Sequence, residues 1–173
     1  AGLGYSPMHP LESPGNVANL AEFIDQLCDP PMIEQPGKRW IYSLATDVLG
    51  RIVEVVSGLP LDVYMQKHLF APLGMTDTAF FVPDEKADRF CCMYADKENA
   101  DDITLLDGNT RASQFRNKPA VLSGGGGLTS TTNDIMRFCS ALKDGGSLGE
   151  TRILGRKTIE LMRTDHLPPE HPA

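Results

Sequence analysis

One amphipathic run in the first third of the chain constrains its fold more than any other segment. Between Ala45 and Ser57 apolar residues recur at helical spacing: Val48, Leu49, Ile52, Val53 and Val56. Gly58 follows directly, and glycine commonly ends a helix because it adopts the left-handed conformation without strain. The pattern therefore predicts a packed helix over residues 45–57.

The segments on either side of this run also favour helices. Residues 17–27 have helical apolar spacing, with Asn16 as the expected N-cap and Pro30–Pro31 as the stop. A further helix is expected to begin at Pro60 and to end before Pro72, because proline suits a first turn and breaks a helix interior.

The second half of the chain is predicted to contain more loop. The runs DTAFFVP and DRFCCMYA are β-like, whereas the polar residues 96–118 predict a long loop that lines or covers a site. A helix should follow the glycines at 124–127, capped by Thr131 or Thr132, and a short helix near the C-terminus completes the pattern. We therefore expect a mainly α chain with a few short strands.

Composition excludes several classes of function. The 173 residues fit one segment, residues 1–173, and their net charge of −7 argues against nucleic-acid binding. No apolar run approaches the roughly 18 residues of a membrane span. The N-terminal AGLGYSPMHP lacks the regions of a signal peptide and does not begin with Met, so we expect a processed chain or one cut from a longer protein.

The cysteines do not form a recognisable metal or disulfide motif. Cys91 and Cys92 are adjacent and would point to opposite faces of a strand, and no C-x-x-C spacing occurs. We expect buried free thiols, which favour the cytoplasm over the periplasm.

The four consecutive glycines at 124–127 allow three interpretations. They could hold a phosphate at a helix start, although neither phosphate-loop motif is complete. They could form a tight turn with close backbone approach, which is the commoner case. They could also let a substrate lie along the main chain.

A serine–lysine pair occurs where catalysis is not expected. Ser140 and Lys143 match S-x-x-K, the spacing by which a lysine can activate a serine. The pair lies at the end of the predicted helix, where Lys143 simply complements the helix dipole. A nucleophile normally lies at a helix start, so we interpret this match as structural.

Tyr42 is the candidate for chemistry in the segment just before the predicted helix at residues 45–57. A tyrosine beside Trp40 is most often a packing residue at the edge of a core. As a base, a phenol needs a nearby cation, since its ordinary pKa is near 10. Lys38 and Arg39 are near in sequence but need not point the same way.

Two long stretches carry a resemblance to a known family. They are WIYSLATDVLGRIVEVVSGLPLDVYMQKHLFAPLGMTDTAFFVP and LSGGGGLTSTTNDIMRFCSALKDGGSLGETRILGRKTIELMRTDHLP. The chain closely resembles the serine β-lactamase-like hydrolases along nearly its whole length. The nearest branch is similar to family VIII carboxylesterases, relatives of class C β-lactamases and D-alanyl-D-alanine carboxypeptidases. The implied fold is the helical domain of the β-lactamase/transpeptidase-like α/β fold, lacking most of its sheet.

The resemblance implies three catalytic motifs, of which this chain carries one. Tyr42 matches the general-base tyrosine, and Leu44 stands where β-lactamases usually have asparagine, which favours small esters over β-lactams. Gly125 and Gly126 would fall on the loop that rims the acyl pocket. The Ser-x-x-Lys pair would precede this segment and the third motif would follow it.

The implied function is that of a serine hydrolase acting on a small-molecule ester or β-lactam through an acyl-serine intermediate. A β-lactamase or D-amino-acid peptidase is the alternative within the class, and no metal or cofactor is implied. The chain would be an internal fragment, inactive alone, that self-associates or binds the remainder of its protein. A non-catalytic helical binding or assembly module is the rival interpretation.

Overall fold

A computed structural model describes residues 17–32, 34–35, 38, 41–96 and 103–166. Four α-helices come first along the chain, and two antiparallel strand pairs then alternate with two further α-helices. The helices are α1 (Leu20–Gln26), α2 (Ala45–Ser57), α3 (Leu61–Met65), α4 (Ala71–Leu73), α5 (Thr132–Lys143) and α6 (Arg156–Met162). The strands are β1 (Met93–Asp96), β2 (Ile103–Asp107), β3 (Ser147–Leu148) and β4 (Thr151–Arg152). The described part of the chain is thus mainly α-helical with two small sheets, which confirms the predicted fold class.

The first helix begins later than the sequence predicted. The side chain of Asn19 accepts a hydrogen bond from the Glu22 N–H (3.0 Å), and Glu22 in return accepts from the Ala18 N–H (2.6 Å). This reciprocal cap satisfies N–H groups that have no partner within the helix. The predicted cap, Asn16, lies outside the described residues, and Asn19 takes its place.

Helix α2 has the predicted bounds, and it ends at Gly58 as the sequence indicates. The Ser43 hydroxyl accepts a hydrogen bond from the Ala45 N–H (3.2 Å), next to the N-cap residue Leu44. At the other end Gly58 has φ 69°, the left-handed conformation that glycine adopts most readily.

The next helical segment runs past the predicted stop. A π-helical turn (Gln66–Phe70) joins α3 to α4, which contains Pro72 and ends at Gly74 with φ 65°. The Ala71 N–H bonds to the carbonyl of Gln66, five residues back. We attribute the tolerance of Pro72 to this wider turn, because proline clashes with the carbonyl four residues back in a regular α-helix.

The predicted loop at residues 96–118 contains a strand. β1 and β2 pair as an antiparallel hairpin, with Tyr94 opposite Leu105 and Ala95 opposite Thr104. The prediction of a structureless loop was therefore wrong for Ile103–Asp107, whose backbone finds its partners in β1. The β-like run DTAFFVP contributes only a single bridge between Ala79 and Thr129.

Two apolar clusters hold the described elements together. One joins α1, α2 and α3 to the segments around residues 80 and 122; its buried members are Val17, Leu20, Phe23, Leu27, Leu61, Phe80 and Leu122. The other joins α4 to α5, and its buried members are Phe70, Leu73, Met75 and Ala141.

Helix α2 leaves much of its apolar stripe uncovered. Val48 and Val53 pack against the first cluster, but Leu49, Ile52 and Val56 are 58%, 50% and 81% exposed. The residues that α2 buries are instead Asp47 and Gly50. The predicted packing is right for one edge of the stripe and wrong for the other. We call Leu49, Ile52 and Val56 the outer face of α2.

The cysteine prediction was half right. Cys28, Cys91, Cys92 and Cys139 are free, but all four are exposed rather than buried. The cytoplasmic assignment drawn from them stays a prediction. Among the residues that the structure describes, none of the helices is long and apolar enough to cross a bilayer.

Candidate active site

Tyr42 lies just before the start of α2, and its side chain is 67% exposed. The hydroxyl of Ser43, the next residue, accepts a hydrogen bond from the Ala45 N–H, as described above. Leu44 is half-buried and packs against the first apolar cluster. The phenol is therefore accessible at the helix start, whereas Leu44 contributes to the core and its predicted contact with substrate stays a prediction.

The glycine loop, residues 124–127, lies directly on the first turns of α2. A Cβ added at Gly124 would stand 2.1 Å from the carbonyl oxygen of Thr46, and one added at Gly50 would stand 3.3 Å from the Gly124 Cα. The first contact is closer than a side chain tolerates and the second is tight, so the two backbones approach each other closely at these glycines. Gly127 adds a left-handed turn with φ 81°.

The two glycines predicted to rim the acyl pocket differ in their surroundings. A Cβ at Gly125 would lie 2.6 Å from Thr46 Oγ1 and 3.2 Å from Asp47 Oδ2. A Cβ at Gly126 would meet nothing within 4 Å. Gly125 is thus packed against α2, while Gly126 borders open space, the position from which a loop can meet a substrate.

Two linked hydrogen bonds, which end at the buried Asp47, join the loop to the helix. The Ser123 hydroxyl donates to Asp47 Oδ1 over 2.6 Å and accepts from the Gly125 N–H over 3.1 Å. Asp47 is only 4% exposed and lies in the first turn of α2, where a carboxylate is favoured by the helix dipole. Neither Asp47 nor Ser123 was predicted from the sequence. A carboxylate among the apolar residues of a predicted packed helix was the available signal.

The serine–lysine match on α5 does not form a catalytic pair. Lys143 Nζ lies 3.3 Å from Asp144 Oδ1 at the end of the helix, and its side chain is 79% exposed. The Ser140 carbonyl accepts the Asp144 N–H in the same last turn. This geometry agrees with the structural interpretation of Ser140 and Lys143.

A second polar cluster lies away from α2, beside a cavity of about 390 Å³. Arg89 contacts both carboxylate oxygens of Asp77 (2.9 and 2.6 Å), and Lys86 contacts one of them (2.8 Å). Their hydrogen bonds hold the pKa of Asp77 well below its ordinary value of 3.8. The buried Asp134 accepts from the Asp77 N–H and from the Thr78 hydroxyl, both over 2.8 Å. This cluster ties the 3-10 helix Asp84–Arg89 to α5.

Comparison with known proteins gives relatives that include a methylbutanoyltransferase and an esterase. Protein Rv1367c of Mycobacterium tuberculosis is 36% identical over 140 residues, 81% of this chain and 34% of its own length. Monacolin J acid methylbutanoyltransferase of Aspergillus terreus is 33% identical over 178 residues, 98% of this chain and 41% of the enzyme. Esterase EstB of Burkholderia gladioli is 32% identical over 146 residues, 77% of this chain and 37% of the esterase.

The fold has solved relatives as well. The Aspergillus terreus simvastatin synthase LovD, as its LovD6 mutant, superposes with a TM-score of 0.72 at 28% identity, over 98% of this chain and 39% of that one. The chain thus spans between about a third and two fifths of the length of the relatives described. The family model named Beta-lactamase matches residues 1–173. The chain therefore belongs to the β-lactamase family, within a superfamily of serine hydrolases and acyltransferases.

Proposed function

We propose that this chain is the tyrosine-bearing, mainly helical part of a serine hydrolase that acts on small esters through an acyl-serine intermediate. The observation that carries the proposal is the exposed Tyr42 at the start of α2, the helix on which the glycine loop packs. The catalytic serine would belong to a Ser-x-x-Lys pair outside residues 1–173.

The proposed reaction assigns Tyr42 one role. The serine oxygen attacks the ester carbonyl carbon while Tyr42 accepts the serine proton and then passes it to the leaving alcohol. Water then attacks the carbonyl carbon of the acyl-serine, Tyr42 accepts a proton from this water and returns it to the serine oxygen, and the acyl–serine bond breaks to release the acid. A phenol needs a nearby cation to act as a base, and the lysine of the pair would supply it. Backbone N–H groups outside this chain would bind the oxyanion.

Two observations support an ester rather than a β-lactam as substrate. Leu44 offers no amide at the position where the resemblance places one in β-lactamases, and its side chain packs against the core. The relatives include an esterase and a methylbutanoyltransferase, which differ in whether water or another acceptor takes the acyl group. A β-lactamase or D-amino-acid peptidase is the alternative within the class.

The same proposal assigns a partner to the outer face of α2. Leu49, Ile52 and Val56 carry no charge and lie on the helix that Tyr42 precedes, so the part that brings the serine to Tyr42 can cover them. The chain spans 34–41% of the lengths of the three curated relatives. In a protein of their length, the other 59–66% would supply the surface that covers the outer face of α2. Self-association is the other candidate, but each copy carries a net charge of −7, which opposes it.

The rival from a different class is a non-catalytic helical binding or assembly module on the same scaffold. Two observations distinguish the hydrolase from the binding module: the coding sequence that flanks this segment, and the residue that becomes acylated. We expect an upstream Ser-x-x-Lys, and we expect mass spectrometry of the extended protein, quenched during turnover of p-nitrophenyl acetate, to find an acetyl group on that serine. No upstream pair, or an acetyl group on Ser140, would refute the proposal.

A further inference from the structure

We propose that Asp47 is a positioning residue, which acts through Ser123 to hold the glycine loop against the start of α2. Its consequence for catalysis rests on the proposed function, in which Gly126 and Tyr42 border the same substrate. The hydrogen bonds themselves do not depend on that function.

The burial of Asp47 shows that it acts indirectly. At 4% exposure its side chain is closed off from solvent, so a substrate beside the exposed Tyr42 does not touch it. A buried carboxylate without hydrogen bonds is costly, and Ser123 supplies one over 2.6 Å. Asp47 therefore stabilises the fold only while Ser123 stays in place.

The Ser123 hydroxyl transmits this restraint to the loop backbone. Its single proton goes to Asp47, and this leaves an oxygen lone pair that accepts the Gly125 N–H over 3.1 Å. The order of donors is thus fixed, from the Gly125 N–H to Ser123 and from Ser123 to Asp47. Removal of the hydroxyl would break both bonds at once.

Steric contacts act together with these bonds. The positions of a Cβ on Gly124 and on Gly125 are already occupied by Thr46 atoms, so the loop lies as close to α2 as its backbone permits. The hydrogen bonds prevent the loop from lifting away from the helix, and the contacts prevent further approach. Gly126, one residue beyond, is the first with open space, so its location depends on how firmly Gly125 is held.

Hydrogen exchange in the chain tests the restraint without any assay of activity. In Ser123→Ala we expect the Gly125 amide to exchange at least about tenfold faster, because a hydrogen bond linked to a charged group is lost. Amides of α5 should keep their protection, Asp47→Asn should show a smaller local increase, and Ser123→Thr should restore slow exchange. The control is Ser147→Ala, which removes a half-buried hydroxyl whose hydrogen bond goes to the Asp144 carbonyl.

A second measurement separates positioning from a purely structural role. In a protein extended to the length of its relatives and assayed well below its Tm, Ser123→Ala should lower kcat by about tenfold, and Ser123→Thr should recover it. Unchanged exchange at Gly125, an increase spread over the whole chain, or no rescue by threonine would each overturn the proposal. If exchange responds as expected but the extended protein has no activity in any form, the restraint stands and the proposed function fails.

Discussion

Ser123 donates a hydrogen bond to Asp47 over 2.6 Å and thereby joins two segments that are 76 residues apart in the chain. Through this bond the residue before the glycine loop is fixed to the first turn of α2. Tyr42 precedes that turn and Gly125 rests on it, so the predicted base and the predicted rim of the acyl pocket converge on one end of one helix.

The glycines of the loop should differ sharply in their tolerance of a side chain. Gly124→Ala places a methyl group 2.1 Å from the Thr46 carbonyl oxygen, so we expect a loss of about 1–3 kcal/mol or more in the free energy of unfolding. Gly126→Ala meets open space and should change it by less than about 0.5 kcal/mol. Urea unfolding of both variants measures the difference, and equal effects would contradict the described packing.

Local patterns predicted the helices but not what covers them. The bounds of α2 followed from the apolar spacing and Gly58, because caps and periodicity are encoded within a few residues. Periodicity shows that a helix has an apolar face, yet it does not show whether the same segment of chain buries that face. For this reason the exposure of Leu49, Ile52 and Val56 was not predictable.

Long-range pairing was the other part that the sequence did not reveal. The strand Ile103–Asp107 exists because β1 pairs with it, and the single polar run around it gave no sign of that partner. Likewise, Asp47 and Ser123 become a pair only in the fold. Tyr42, Gly125 and Gly126 were predictable as a candidate site only because the chain resembles a family.

The outer face of α2 should bind hydrophobic dyes in the isolated chain. We expect Ile52→Ser combined with Val56→Ser to reduce dye fluorescence and any self-association, since it removes exposed apolar surface. The free energy of unfolding should stay within about 0.5 kcal/mol of the unchanged chain. As a control, Val53→Ser alters a residue packed against the core and should destabilise the chain. Dye binding that persists in the double variant would show that another surface is responsible.

The Asp77 cluster should make stability depend on pH in a defined direction. Because Arg89 and Lys86 lower the pKa of Asp77, its contribution is complete above the ordinary value of 3.8 and is lost as the pH falls toward the lower pKa of the folded state. Arg89→Gln should therefore destabilise the chain more at about pH 6 than at about pH 3. Urea unfolding at both pH values measures this. The control is Lys157→Gln, because the Lys157 side chain is 92% exposed and pairs with Glu160 rather than with the Asp77 cluster. A difference that grows on acidification would contradict the described cluster.

The chain of 173 residues should have no esterase or β-lactamase activity by itself. The serine–lysine match on α5 ends a helix, and Lys143 pairs with Asp144. Hydrolysis of p-nitrophenyl acetate and of a chromogenic cephalosporin by the purified chain should equal the rate in buffer. Turnover that is abolished by Ser140→Ala would instead identify Ser140 as a nucleophile.

The role of Tyr42 is tested most directly by kcat/KM for p-nitrophenyl acetate in the protein extended to include the flanking motifs. Tyr42→Phe removes only the hydroxyl, and Tyr94→Phe is the matched control because Tyr94 is similarly exposed, at 59%, on the hairpin. We expect Tyr42→Phe to lower kcat/KM by about 100- to 10,000-fold, the usual contribution of a positioned acid–base group, and Tyr94→Phe to leave it unchanged. A near-normal rate in Tyr42→Phe would show that Tyr42 is a packing residue and not the base.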